Sequence, residues 1–291
     1  MRLSEALAEY LIQLEADGRS EHTVRQAARH IRALERWAGD PELNAVGHEL
    51  VARFLASPAV REREGGGERM ASSANAIRSS LRGFFGFAHA AGHAQVNAAR
   101  LVRRAKTRGG PPRGPGAADA ARLLGALECA ESASERRDRV LFTLLLRAGL
   151  RLGSALGLDV EDVDLEAGEL RLRKVKGGGE DAAILPESVA ALLREHIGTR
   201  TSGALFLSGQ GQRICSRHVR RRLEAWSKRA GIAPVRPHAL RHFFAMRVYE
   251  RTGDLLITAA ALGHRSVSST QVYARVSASA LRSAVGQIVT L

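Results

Sequence analysis

Residues 100–116 read RLVRRAKTRGGPPRGPG. Arg100, Arg103, Arg104, Lys106, Arg108 and Arg113 supply its charge, no acid balances them, and glycine and proline fill its second half. Glycine frees the backbone and proline removes a hydrogen-bond donor, so a helix or strand stops here. Helical periodicity lies on both sides. Residues 101–116 are therefore expected to be an interdomain linker, with Arg103, Arg104 and Lys106 suited to tracking a phosphate backbone.

Upstream, the first hundred residues read as a helical bundle. In LSEALAEYLIQLEADG (3–18), Ser4 can cap, Leu7, Leu11 and Leu14 share one face, and Gly18 can stop the helix. SEHTVRQAARHIRALERWAGD (20–40) puts Val24, Ala28, Ile31 and Leu34 on an apolar face and Arg25, Arg29, Arg32 and Arg36 on another. Such a stripe is either a solvated surface or a set of phosphate contacts. SSANAIRSSLRGFFGFAHAAG (72–92) turns Ile77, Leu81, Phe84 and Ala88 inward and Arg78 and Arg82 outward, after a mobile loop, REREGGGERM (61–70).

Downstream, helical pattern resumes in AADAARLLGALECA (117–130) and RRDRVLFTLLLRAGLRLGSALGL (136–158). GELRLRKVK (168–176) then alternates Leu170 and Leu172 with Arg171 and Arg173, and a triple-glycine turn at 177–179 lets DAAILP (181–186) return as a second strand. The fold class expected is mainly α with a small β-sheet or hairpin in the second domain.

Composition narrows the partner. The chain of 291 residues is 45% hydrophobic but only 4% aromatic, so its core rests on Leu, Ala and Val, which suits helices. Its 44 Lys plus Arg against 30 Asp plus Glu give a formal charge of +14, which points to a polyanion, and to nucleic acid before a membrane surface. The longest apolar run, Val140 to Leu146, is too short to span a bilayer, and the N-terminus carries acids where a signal peptide needs bases. Two cysteines, Cys129 and Cys215, make neither a disulfide framework nor a zinc site. A reduced, cytoplasmic and nucleoid-associated protein with no membrane contact is expected.

The chemistry concentrates near the C-terminus. In RPHALRHFFAMRVYERTGD (236–254), Pro237 suits a first helical turn, Gly253 suits the stop, and Leu240, Phe244 and Val248 form the expected buried stripe. His238 and Arg241 then share a different face. Asp254 can cap DLLITAAAL (254–262), and Gly263 can end it in a left-handed turn that leaves His264 at a corner. Ser268, Ser269 and Thr270 can cap a further short helix carrying Tyr273.

HALRH (238–242), LGHRSVSSTQVYA (262–274) and RAGLRLGSALGLDVEDVD (147–164) together resemble, in order and spacing, the boxes of the tyrosine recombinase (phage integrase) family. Among its branches the chain is most similar to Xer-type chromosome recombinases and related integrases of mobile elements. The resemblance implies a two-domain DNA clamp: a helical core-binding (SAM-like) domain over 1–100, the linker, and an α+β catalytic domain over 117–291. It also implies the site residues. Arg151 matches the first arginine, His238 and Arg241 the H-x-x-R box, His264 the second histidine position, and Tyr273 the nucleophile. The family's lysine falls on Lys176, with Lys174 the fallback, and Ser154 stands where most relatives have Glu.

The activity implied by the resemblance is DNA strand transfer without cofactor or metal. Arginine forks hold phosphate oxygens bidentately and stay charged at any working pH, the part implied for Arg151 and Arg241. Tyr273 would form a 3′-phosphotyrosyl link, His238 would accept its proton, His264 would bond the phosphate, and Lys176 would protonate the leaving 5′-oxygen. The tail, 277–291, carries Leu281, Val285 and Ile288 as an apolar stripe, expected to be exchanged between protomers of a homotetramer on double-stranded DNA. A second recombinase or accessory protein could join. A type IB topoisomerase, or a silent DNA-binding protein, are the alternatives.

Overall fold

The computed structural model describes residues 1–63, 65–105, 114–173 and 181–263, in two compact units, Met1–Gly109 and Gly110–Leu291. The mainly helical class expected from the sequence is the one observed.

The first unit comprises α1 (Leu3–Ala16), α2 (Glu21–Ala38), α3 (His48–Ala56), the short α4 (Pro58–Arg61) and α5 (Ala71–Ala90). Leu3, Leu7, Ile31, Leu34, Phe54, Leu81, Phe84 and Phe85 fill its centre. The Tyr10 ring meets Phe84 edge-on at 5.7 Å. Ser20 caps α2 by accepting from the Thr23 amide, and Gly39 closes it at φ 77°.

Three expectations need correction here. Ser4 is not a cap: α1 begins one residue earlier, and the Ser4 amide and hydroxyl both donate to the Asp40 carboxylate, at 2.9 and 2.8 Å. Those bonds hold the Asp40 carboxyl below its ordinary range, Ser4 being the main cause and Arg2 a lesser one. A bridge between Arg2 and Glu42 brings the two segments together, a tertiary event no local capping rule contains. Arg78 is half-buried rather than outward, and its Nη1 is buried without a hydrogen-bond partner. The segment expected as an open loop is bonded at its described flanks: Glu62 bridges Glu68, and the Arg69 guanidinium donates to the carbonyls of Ala59 and Glu62.

The first unit also reaches into the linker sequence. Val102 packs against its core, and the Asn75 side chain exchanges two hydrogen bonds with the backbone of Ala105, at 2.9 and 2.7 Å.

His30 turns from the arginine stripe into the interior, where its Nδ1 lies 2.9 Å from the Ser80 hydroxyl. Burial first, then the charges of Arg29 and Arg69, lower its pKa from 6.5 to about 4. The unfolded chain therefore binds the proton more readily. This contribution is complete above pH 6.5 and disappears as pH falls towards 4, a window worth about 1–3 kcal/mol. His30→Gln keeps a polar partner for Ser80 but cannot titrate; its urea midpoint is expected to fall less steeply than the wild type's between pH 6.5 and 4.

The second unit comprises α6 (Ala117–Glu128), α7 (Ala133–Ala148), α8 (Leu152–Gly157), β1 (Val163–Asp164), β2 (Glu169–Leu172), β3 (Asp181–Ile184), α9 (Glu187–Ile197), α10 (Ser216–Arg229), α11 (Pro237–Thr252) and α12 (Leu255–Ala261). The apolar run Val140 to Leu146 is the middle of α7, buried all round, with α6, α9 and α11 packed against that helix. Ser132 and Glu135 cap its start reciprocally. Asp138, 1% exposed, accepts from Arg137, Arg222 and the Trp226 indole, joining α7 to α10.

The three strands form one antiparallel sheet in the order β1-β2-β3, with Leu170 opposite Val163 and Ala183. The hairpin expected from the alternation is β2 and β3; β1 extends it.

Candidate functional site

Helix α11 organises the site. Pro237 occupies its first turn, and Gly253 ends it at φ 65° with its amide on the Tyr249 carbonyl. Its buried residues are Pro237, Leu240, Arg241 and Ala245. The expected stripe is therefore partly misplaced. Phe244 and Val248 are half-buried, and Arg241 enters the interior at 4% exposure.

A buried guanidinium needs acceptors, and main-chain carbonyls supply them. Arg241 Nη1 donates to Gly149 O and Nη2 to Leu262 O, each at 2.6 Å. Gly149 closes α7 two residues before Arg151, and Leu262 comes after α12, two residues before His264 in sequence. One side chain thus ties together the ends of all three motif segments.

Each of those ends has a local cause. Gly149 sits at φ 62°, the left-handed region glycine tolerates, and a Cβ there would lie 2.1 Å from the Phe244 ring. Arg151 heads α8 as its N-terminal flanking residue and is exposed. Asp254 caps α12 by accepting from the Leu256 and Ile257 amides, and Gly263 comes next at φ 57°, as the sequence indicated. Ser154 lies in α8, half-buried.

Imidazole chemistry lines the start of α11. His238 is exposed on one side, yet burial of the rest of its ring, then Arg241 and Arg151, lower its pKa from the ordinary value. His242, one turn on, is lowered to about 4 by burial, then by His238 and Arg241. Both rings are neutral near pH 7, as a proton acceptor must be. His242 was not among the residues nominated from sequence, although its place four residues after His238 on one helix is a usable signal.

The end of the linker also touches this helix. A Cβ on Gly114 would stand 3.0 Å from Phe243 N and 3.1 Å from Ala239 O, the two ends of one backbone hydrogen bond in α11.

Arg151, His238 and Arg241 are thus brought together. Lys176, its fallback Lys174, His264 and Tyr273 lie outside the described residues, as do Lys106 and the tail 277–291. Of the other expected DNA contacts, Arg25, Arg29, Arg32, Arg36, Arg82, Arg103 and Arg104 are exposed. Arg29 and Arg36 line a cavity of about 790 Å³ together with Arg63 and Arg69 from the 61–69 turn. Sequence reasoning missed those last two arginines because the triple glycine between them reads as loop and hides the bases flanking it.

Residues 117–280 match the profile of the phage integrase family, and residues 7–92 that of the phage integrase N-terminal SAM-like domain. The tyrosine recombinase XerC of Chromobacterium violaceum is 32% identical over 284 residues, spanning 93% of this chain and 90% of that protein. Among solved structures, the Tn1549 transposon integrase in complex with transposon right end DNA matches at TM-score 0.79 and 17% identity over 100% of both chains. A lambda integrase dimer bound to a COC′ core site matches at TM-score 0.72 and 24% identity, over 92% of this chain and 96% of that one. These two likenesses are of fold.

Proposed function

The chain belongs to the phage integrase family of tyrosine recombinases, and from that premise we propose how its residues share the reaction. The enzyme is a site-specific recombinase, and its substrate is double-stranded DNA. Arg151 and Arg241 hold the scissile phosphate, their forks opposing the charge that grows on its oxygens. The Tyr273 oxygen attacks phosphorus as His238 takes its proton, and the bond to the 5′-oxygen breaks. Lys176, or Lys174, protonates that leaving oxygen, while His264 donates to the phosphate. The product is a 3′-phosphotyrosyl link, and attack by the 5′-hydroxyl of a second strand reverses the step and releases tyrosine. Two such exchanges pass through a Holliday junction without ATP.

The observation that carries this reading is the Arg241 guanidinium, bonded to the carbonyls of Gly149 and Leu262 at 2.6 Å. Segments 92 and 21 residues away in sequence meet at one arginine, which a silent DNA-binding protein would have no reason to arrange. Residues 1–100 take the core-binding part, 101–116 the linker and 117–291 the catalytic part. Arg25, Arg29, Arg32, Arg36, Arg82, Arg103, Arg104 and Lys106 contact backbone phosphates, with Arg78 as a partly buried neighbour. Four protomers assemble on paired sites and exchange their tails, in the cytoplasm at the nucleoid. No helix among the described residues is long and apolar enough to cross a membrane. The same chemistry serves chromosome dimer resolution and mobile-element integration, and the target site decides between them.

The test is a suicide substrate, DNA from the native host nicked beside the cleavage point, incubated in EDTA. A protein–DNA adduct that survives detergent is expected, because arginines supply the positive charge that metals supply elsewhere. A strict Mg²⁺ requirement, or no adduct at any site, would overturn the mechanism.

A further inference from the structure

His238 and His242 lie one turn apart on α11, and their rings meet at 4.4 Å between centroids with planes 67° apart, an edge-to-face contact. His242 is half-buried, whereas His238 is exposed on one side. The inner ring therefore backs the outer one. A side chain with two free torsions would otherwise sample several orientations at the surface.

We propose that His242 is a positioning residue: its ring fixes the plane of the His238 imidazole and keeps water from that flank. The inference rests on the reading of His238 as the proton acceptor. A general base delivers its full effect only within hydrogen-bond reach of the proton it takes, and a displacement near 1 Å costs about 100-fold in rate. Backing by a second ring limits that displacement without adding a charge. Two arginines bear on the pair, Arg241 from the same helix and Arg151 from the start of α8. The segments packed on α11 at Gly149, Leu262 and Gly114 present main chain there. The contact between the two rings is one of packing. Phenylalanine should reproduce it, and alanine should not.

The experiment tracks His238 by NMR of ¹⁵N-labelled imidazoles in the full chain, in wild type, His242→Ala and His242→Phe, alongside single-turnover cleavage of the suicide substrate. In His242→Ala, His238 is expected to titrate closer to its ordinary value, and cleavage to slow by about 10-fold or more with DNA affinity unchanged. His242→Phe, which keeps the ring contact, should restore the titration. An unmoved His238 titration in His242→Ala would sink the proposal, and so would a His242→Phe enzyme whose His238 titrates as in the alanine variant. Should His242→Ala fail to fold, His242→Phe against His242→Asn gives the same comparison. A His238→Ala control separates the two ideas: a wild-type rate there removes the base assignment, while the titration still judges the contact between the rings.

Discussion

Tyr273→Phe is expected to abolish the covalent protein–DNA product and leave DNA affinity within about two-fold of wild type, an effect too small for a lost ionic contact. The variant removes one oxygen, the atom that would bond to phosphorus, and changes no charge at neutral pH. The proposed function puts the affinity in the arginines; Arg25, Arg29, Arg32 and Arg36 alone make an exposed stripe on α2. Denaturing gels of the suicide-substrate reaction and a gel-shift titration read the two quantities separately. An adduct persisting in Tyr273→Phe would move the nucleophile elsewhere.

Among the described residues of the second unit, Gly149→Ala should be the most damaging single methyl group. The left-handed conformation costs a residue with a Cβ about 1–2 kcal/mol. The methyl would also lie 2.1 Å from the Phe244 ring, and displacing packed groups adds about 1–3 kcal/mol. Together these reach ~2–5 kcal/mol, a large part of an ordinary domain's stability. The functional loss should exceed the stability loss, because the Gly149 carbonyl accepts from Arg241 and the chain reaches Arg151 two residues later. Folded Gly149→Ala, measured at low temperature, is expected to cleave at least about 100-fold more slowly. Gly153→Ala is the control: nothing lies within 4 Å of the added methyl, it sits inside α8, and stability should hold or rise.

Much of the fold is legible in residue order. Gly253, Asp254 and Gly263 mark helix ends by rules that depend on a few neighbouring residues, and they act where expected. The alternation of Leu170 with Arg171 likewise foretells β2, since one face of the sheet is buried and the other is not. Ser4 and Arg78 mislead because each answers to a distant segment, Asp40 in one case and the cavity shared with His48, Arg61 and Leu101 in the other. The error at α11 is the most instructive. A charged residue is read from sequence as surface, and Arg241 is inside because two carbonyls from other elements wait for it there. Motif spacing can nominate Arg151, His238 and Arg241, but the bonds that join their segments exist only after folding.

The close seat of Gly114 on α11 bears on how this protein could be rebuilt. Main chain lies against main chain there, so no side chain can rotate away to make room. A chimaera that grafts the second unit onto a foreign module would be spliced, by eye, just before Ala117, where α6 begins. Such a splice discards a residue in contact with the helix that bears His238 and Arg241. The transplantable piece begins upstream of Gly114, and the spacer sequence is partly cargo.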